Sequence, residues 1–191
     1  MNIPLFPLNT VLFPGGPLPL RVFEPRYLDM VSQSMKSESP IGVVLIKDGY
    51  EVGPAPDIYS IGTMATVTYW HKRNDGLLGI TLTGAQRFKI LDKQVSDSQL
   101  VTADIELIDN IVSHDINEDN QHLVPIIDKI LDQLDPPFKT IPRKTDDIEW
   151  VSARLIELLP TSLDVKQSLL ESDNIVERLA KIESILKDAK H

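Results

Sequence analysis

Residues 5–31, LFPLNTVLFPGGPLPLRVFEPRYLDMV, are apolar enough for a signal peptide or membrane anchor, yet Pro7, Pro14, Pro17, Pro19 and Pro25 interrupt them. A secretory signal needs a basic start, an unbroken apolar core of roughly 7 to 15 residues and a small-residue cleavage site. Here the first basic residue is Arg21, after the apolar part. No helix accommodates Pro14, Pro17 and Pro19, because each lacks an N–H and collides with the preceding turn. The stretch therefore belongs to the folded chain. Proline is tolerated at strand starts, sheet edges and bulges, so the spacing predicts extended segments at 3–8 and 18–23 around a turn at Pro14-Gly15-Gly16-Pro17. Glu24-Pro25 then opens a helix. Pro25 suits the first helical position, Glu24 favours the positive helix end, and Tyr27, Leu28, Val31 and Met35 recur at helical spacing.

Beyond that helix the pattern is one of strands. IGVVLI at 41–46 is an apolar, β-branched run closed by Asp48-Gly49, as expected of a buried strand. Along 63–70, Ala65, Val67 and Tyr69 alternate with Thr66, Thr68 and Trp70. HKRNDG at 71–76 is a turn, and LLGITLTG, QRFKIL and VTADIELI follow as three further strands separated by glycine or polar residues. Six or more short strands close into a barrel or sandwich to remove their edges.

Past SHDINEDNQ at 113–121 the period changes to that of helices. Leu123, Ile126, Ile127, Ile130, Leu131 and Leu134 share one face, and Pro136-Pro137 ends the run. A second helix is expected from Asp146, capped with Glu149 three residues on, and stops before Pro160. A short helix over 163–171 follows, and Asp173 is placed to cap the last one. In that helix Ile175, Leu179, Ile182 and Leu186 point inward, while Glu177/Lys181 and Glu183/Lys187 are spaced for outer ion pairs. The expected organisation is a β-rich subdomain over 1–112 and a helical one over 113–191.

Composition narrows the function. The 191 residues are 42% hydrophobic and 25% charged, ordinary for a globular chain, with no cysteine for disulfides, thiolate metal sites or a thiol nucleophile. Nothing resembles a transmembrane span, so the expected setting is cytoplasmic, without a membrane. The formal net charge is −9. Residues 1–110 hold twelve acidic and nine basic side chains, and 111–191 hold sixteen and ten. Neither half is basic, which argues against nucleic-acid partners.

Four blocks in order carry a family resemblance: PLFPLNTVLFPGGPLPLRVFEPRY at 4–27, IGTMATV at 61–67, GLLGITLTGAQRFKI at 76–90 and LLPTSLDVKQSLLESDNIVERL at 158–179. Together they resemble the LON domain, the amino-terminal substrate-recognition domain of ATP-dependent Lon proteases. That domain also stands alone in small bacterial proteins and occurs within cereblon. The resemblance implies an α+β fold, a PUA-like pseudo-barrel of short strands with one helix followed by a C-terminal helical bundle. It also implies a module that binds unfolded or damaged polypeptides, as an adaptor for a separate protease or as a holdase. RNA binding is the alternative that a PUA-like architecture raises. Neither the G-x-x-x-x-G-K-[ST] loop nor a Ser-Lys protease domain stands in the 191 residues, so no enzymatic activity is expected, and no cofactor.

Other constellations are weak. His114, Glu118 and His122 are spaced i, i+4, i+8 with Asp115 and Asp119 nearby, but the segment is polar and rich in turn formers, as in a solvated linker, so no metal site is assigned. Ser184 and Lys187 form the only S-x-x-K spacing, without the companion motifs, and no catalytic residue is assigned. Asp146-Asp147 suit a helix start. Glu24, Arg26 and Arg87, in FEPRY and GAQRF, are expected to lock strand to helix, because arginine pairs bidentately. Phe13, Tyr69, Trp70 and Phe88 are the candidates for contact with a bound peptide, with Trp70 expected to be exposed at its strand end.

Overall fold

In a computed structural model, which describes residues 1–112 and 114–188, the proline-broken start forms β1 (Asn2–Leu8), β2 (Pro17–Val22) and α1 (Pro25–Ser37). Pro25 occupies the first helical turn after an extended Glu24, and α1 ends at Glu38, whose φ of 52° is left-handed and whose N–H donates to the Ser34 carbonyl. There follow β3 (Ile41–Asp48), β4 (Asp57–Ile58), β5 (Ile61–Lys72), β6 (Leu78–Val95) and β7 (Val101–Ile108). Helices α2 (Leu123–Gln133), α3 (Ile148–Leu158), α4 (Leu163–Glu171) and α5 (Ile175–Asp188) complete an α+β chain, with a 3-10 turn at Phe138–Thr140. The expected linker at 113–121 and the last helical residues lie outside the described residues at 113 and at 189–191. Among the described residues no helix is long and apolar enough to cross a membrane.

The chain divides into two compact units, Met1–Asp109 and Asn110–His191. In the first, the strand order β1-β7-β6-β5-β3-β4 is closed by a second pairing of β1, with β3, so that five strands form a ring. That pair is parallel, Leu5 beside Gly42 and Leu8 beside Leu45, and β2 with α1 supplies the crossover that a parallel pair requires. The other pairings are antiparallel, and β2 lies outside the ring against β6. Two apolar clusters fill the unit, one around Phe6, Tyr27, Val31, Ile41 and Leu82, the other around Ile3, Leu5, Val44, Phe88 and Val101.

The two strands expected on either side of Gly84 are one strand, β6, of 18 residues. Glycine serves here not as a break but as a place of close approach: the Gly15 N–H donates to the Gly84 carbonyl at 2.8 Å and the Gly84 N–H to the Gly16 carbonyl at 2.9 Å. A Cβ at Gly84 would lie 2.4 Å from the Phe13 carbonyl oxygen. The alternation expected along 63–70 is likewise corrected, because register shifts between Thr63 and Ala65 and between Val67 and Tyr69 break it.

In the second unit the apolar faces of α2 (Leu123, Ile127, Leu131) and α3 (Val151, Leu155) are fully buried. Two arginines are buried with them, Arg154 paired to Glu157 at 2.7 Å and Arg178 to Glu149 at 3.2 Å. Three local expectations change. The cap of α3 is Asp147, not Asp146: its Oδ1 accepts from the N–H of Glu149 at 2.9 Å and of Trp150 at 3.3 Å. Asn174 Oδ1 rather than Asp173 receives the first N–H groups of α5, those of Val176 and Glu177. Glu183 meets His122 Nε2 at 2.6 Å and Glu177 accepts from Ser172, in place of the expected lysine pairs.

Candidate functional site

The first unit carries an open groove of about 430 Å³ where β2 runs into α1. Phe6, Leu8 and Tyr27 form its floor, β2 supplies Leu20 and Val22, and the rim carries Phe23 and Val52, 52% and 54% exposed. Period-2 alternation explains the rim: Leu18, Leu20 and Val22 turn toward the core, while Pro19, Arg21 and Phe23 are exposed. That signal lay in the sequence, yet Phe23 was not among the expected candidates.

Arg26 holds one wall of the groove. Its guanidinium is buried, pairs with Glu24 Oε2 at 3.0 Å, and donates to the carbonyls of Gln99 at 2.8 Å and Glu51 at 3.4 Å. It also stands 4.6 Å above the centroid of the Tyr27 ring, in cation–π range. Glu51 in turn accepts the Asn9 N–H at 2.6 Å. The start of α1 is thus tied to three loops. Tyr27 stacks on Phe6 at 4.4 Å, and burial raises its phenol pKa, with the Arg26 charge opposing. Arg87, 2% exposed on β6, donates to the Asp109 carbonyl at 2.5 Å, at the end of β7.

Of the four aromatic candidates, Tyr69 and Trp70 are 59% and 58% exposed, and Phe13 and Phe88 are fully buried. The structure therefore removes Phe13 and Phe88 from any contact surface. Phe13 sits in the turn folded down onto Gly84, and Phe88 is at the centre of the second core cluster. Tyr69 and Trp70, adjacent in sequence, are both exposed beyond the last pairing of β5 with β3, Ile41 beside Ala65. A second cleft, also about 430 Å³, runs between Trp70, Thr66 and Thr68 on β5 and Met35 and Glu38 at the end of α1. Among the described residues, no three His, Cys, Asp or Glu side chains stand close enough to hold a metal ion.

The chain belongs to the ATP-dependent protease La (LON) substrate-binding domain family, whose model matches residues 2–188. It is 29% identical over 194 residues to the Lon protease of Anaeromyxobacter dehalogenans, covering 96% of this chain and 23% of that protein. It is 31% identical over 192 residues to Lon protease 1 of Hydrogenovibrio crunogenus, covering 94% and 22%. The chain thus spans about a quarter of the length of these curated relatives. Among solved structures it is similar to a Lon N-terminal domain protein from Xanthomonas campestris, with a TM-score of 0.77, 32% identity, and coverage of 96% of this chain and 98% of that one. The N-terminal domain of Mycobacterium avium complex Lon protease shares the fold at a TM-score of 0.61 and 16% identity, covering 98% and 99%.

Proposed function

We propose that this chain is a non-enzymatic module that binds unfolded or hydrophobic polypeptide segments, with the groove between β2 and α1 as its receptor. The observation that carries this reading is the exposed pair Phe23 and Val52 above the apolar floor of Phe6, Leu8 and Tyr27. Exposed apolar side chains lining one concavity mark an interaction surface, and membership of a substrate-binding family supplies the class of ligand. Within this reading the first unit is a PUA-like pseudo-barrel and the second a helical bundle, Tyr69 and Trp70 add contact area, and Glu24, Arg26 and Arg87 are structural. The module serves in cytoplasmic quality control, either handing clients to a separate protease or shielding them as a holdase. RNA binding finds no support in a chain of net charge −9.

The test is fluorescence anisotropy of a labelled, permanently unfolded polypeptide titrated with the protein, with labelled RNA of similar length as control. Saturable polypeptide binding that survives raised salt, weakened at least about tenfold by Phe23→Ser with Val52→Ser, is the expected result. Binding to RNA alone, falling steeply with salt, would overturn it.

A further inference from the structure

Resting on the polypeptide-binding reading, we propose a second, distinct recognition element: the outer edge of β5 over 69–72, beyond the register shift at Val67, takes an extended client segment as an added strand, with an acidic residue of that segment at Lys72. The topology singles out this edge. Leu78 to Thr83 of β6 is flanked by β2 on one side and by the C-terminal half of β5 on the other, and among the described residues no strand pairs with the far side of either. The two edges differ. In β2, Pro17 and Pro19 face Thr83 and Thr81, and an edge with two prolines offers few N–H donors to a newcomer. The β5 edge contains no proline.

Its polar groups can be assigned. The Arg73 N–H donates to the Leu77 carbonyl at 2.9 Å, which sets the phase of the antiparallel ladder. Counting back through Lys72↔Leu78, His71↔Gly79, Trp70↔Ile80 and Tyr69↔Thr81, residues 73, 71 and 69 bond to β6, while Trp70 and Lys72 direct their N–H and C=O groups outward. The β3 partner that covers this side of β5 farther back stops at Ile41, opposite Ala65. The exposed Trp70 ring flanks the bare edge, and Met35, 40% exposed, lines the cleft beside it.

Charge then defines the occupant. Arg73 spends its charge on Asp75 at 3.0 Å, whereas Lys72 has no ion pair among the described residues. Arg21, exposed on β2 opposite Gly79, also acts on the Asp75 carboxylate, which leaves Lys72 as the basic side chain at this end with no carboxylate paired to it among the described residues. Glu38 lies at the opposite end, in the cleft beside Thr66 and Thr68. The edge is polarised within a half-chain that is acidic as a whole. It suits an extended segment with an apolar residue over Trp70 and Asp or Glu beside Lys72. Main-chain bonds give affinity in such pairing, and side chains give selectivity.

The experiment uses the full chain and three labelled nine-residue peptides. One alternates Leu and Thr and ends in Asp-Glu, the second is the same peptide N-methylated at alternate residues, and the third ends in Lys-Lys. The acidic peptide is expected to bind. N-methylation should weaken it at least about tenfold, and the lysine ending about threefold in a salt-sensitive way. Lys72→Pro removes an outward N–H that β6 does not use, and should reproduce the tenfold loss with unchanged circular dichroism. Lys72→Ala should reproduce only the threefold loss. Equal binding of the N-methylated peptide, or equal effects of the two variants, would overturn strand addition. If the long unfolded polypeptide still bound, the general reading would stand without it; if that binding were also absent, both would fall. Self-association abolished by Lys72→Pro, with no peptide binding, would assign the edge to a second copy and overturn the proposal.

Discussion

Tyr27 links the groove to the fold through one titratable group. Its ring lies 4.4 Å from Phe6 at the groove floor, and burial raises its pKa above the ordinary phenol value of 10.0. The neutral phenol is favoured in the folded chain, so this contribution to stability is complete below pH 10. It is lost as rising pH ionises the unfolded chain first and the folded chain later. Lys166 acts in the opposite sense: burial lowers its pKa, so stability rises with pH as the folded form loses its proton first and levels off once the unfolded form does. The difference between variant and wild type isolates Tyr27. Urea midpoints at pH 8 and above pH 10 should show a smaller alkaline loss for Tyr27→Phe, and parallel losses would refute the assignment. Single residues were unevenly legible. The exposure of Trp70 followed from its place before HKRNDG, and the pairing of Arg26 with a carboxylate from its neighbour Glu24, whereas its burial did not. The burial of Phe13 did not follow, because it depends on a turn meeting Gly84, some 70 positions along the chain.

At the scale of elements, the cap of α3 gives the sharpest test. Asp147 Oδ1 receives two otherwise unpaired N–H groups, whereas Asp146 contributes its backbone carbonyl, which accepts from the Ile116 N–H at 2.9 Å. Replacing Asp147 by alanine should cost about 1 kcal/mol in chemical denaturation. Asp146→Ala should stay within about 0.5 kcal/mol. Equal losses would return the cap to the pair as a whole. Local signals located most elements: proline at the start of α1, β-branched runs in β3 and β7, and 3.6-residue periodicity in α2 and α3. They misplaced caps by one residue because Asp146-Asp147 and Asp173-Asn174 each offer two equivalent side chains. They also split β6, since glycine marks both strand breaks and close approaches. The parallel pairing of β1 with β3 was invisible, because its register joins positions nearly forty residues apart through packing rather than spacing.

The whole molecule raises the question of which part is sufficient to fold and bind. Among the described residues every pairing between the seven strands lies within Met1–Asp109, the ring closes there without an outside strand, and both barrel clusters draw only on those residues. The buried Arg26 and Arg87 have partners inside the same span, at Gln99, Glu51 and Asp109. A chain of residues 1–109 should therefore unfold in one cooperative step, with fluorescence and circular dichroism transitions coincident. The groove and the free edge of β5 also belong to this unit, so the fragment should bind the unfolded polypeptide within about threefold of the full chain. Non-coincident transitions or dye binding of the molten-globule kind would show that the barrel depends on the helical half for stability. A cooperative fold that has lost its affinity would instead move the receptor to residues 110–191. The site would then rest on the helices, and Phe23 with Val52 would have to be silent in the same assay.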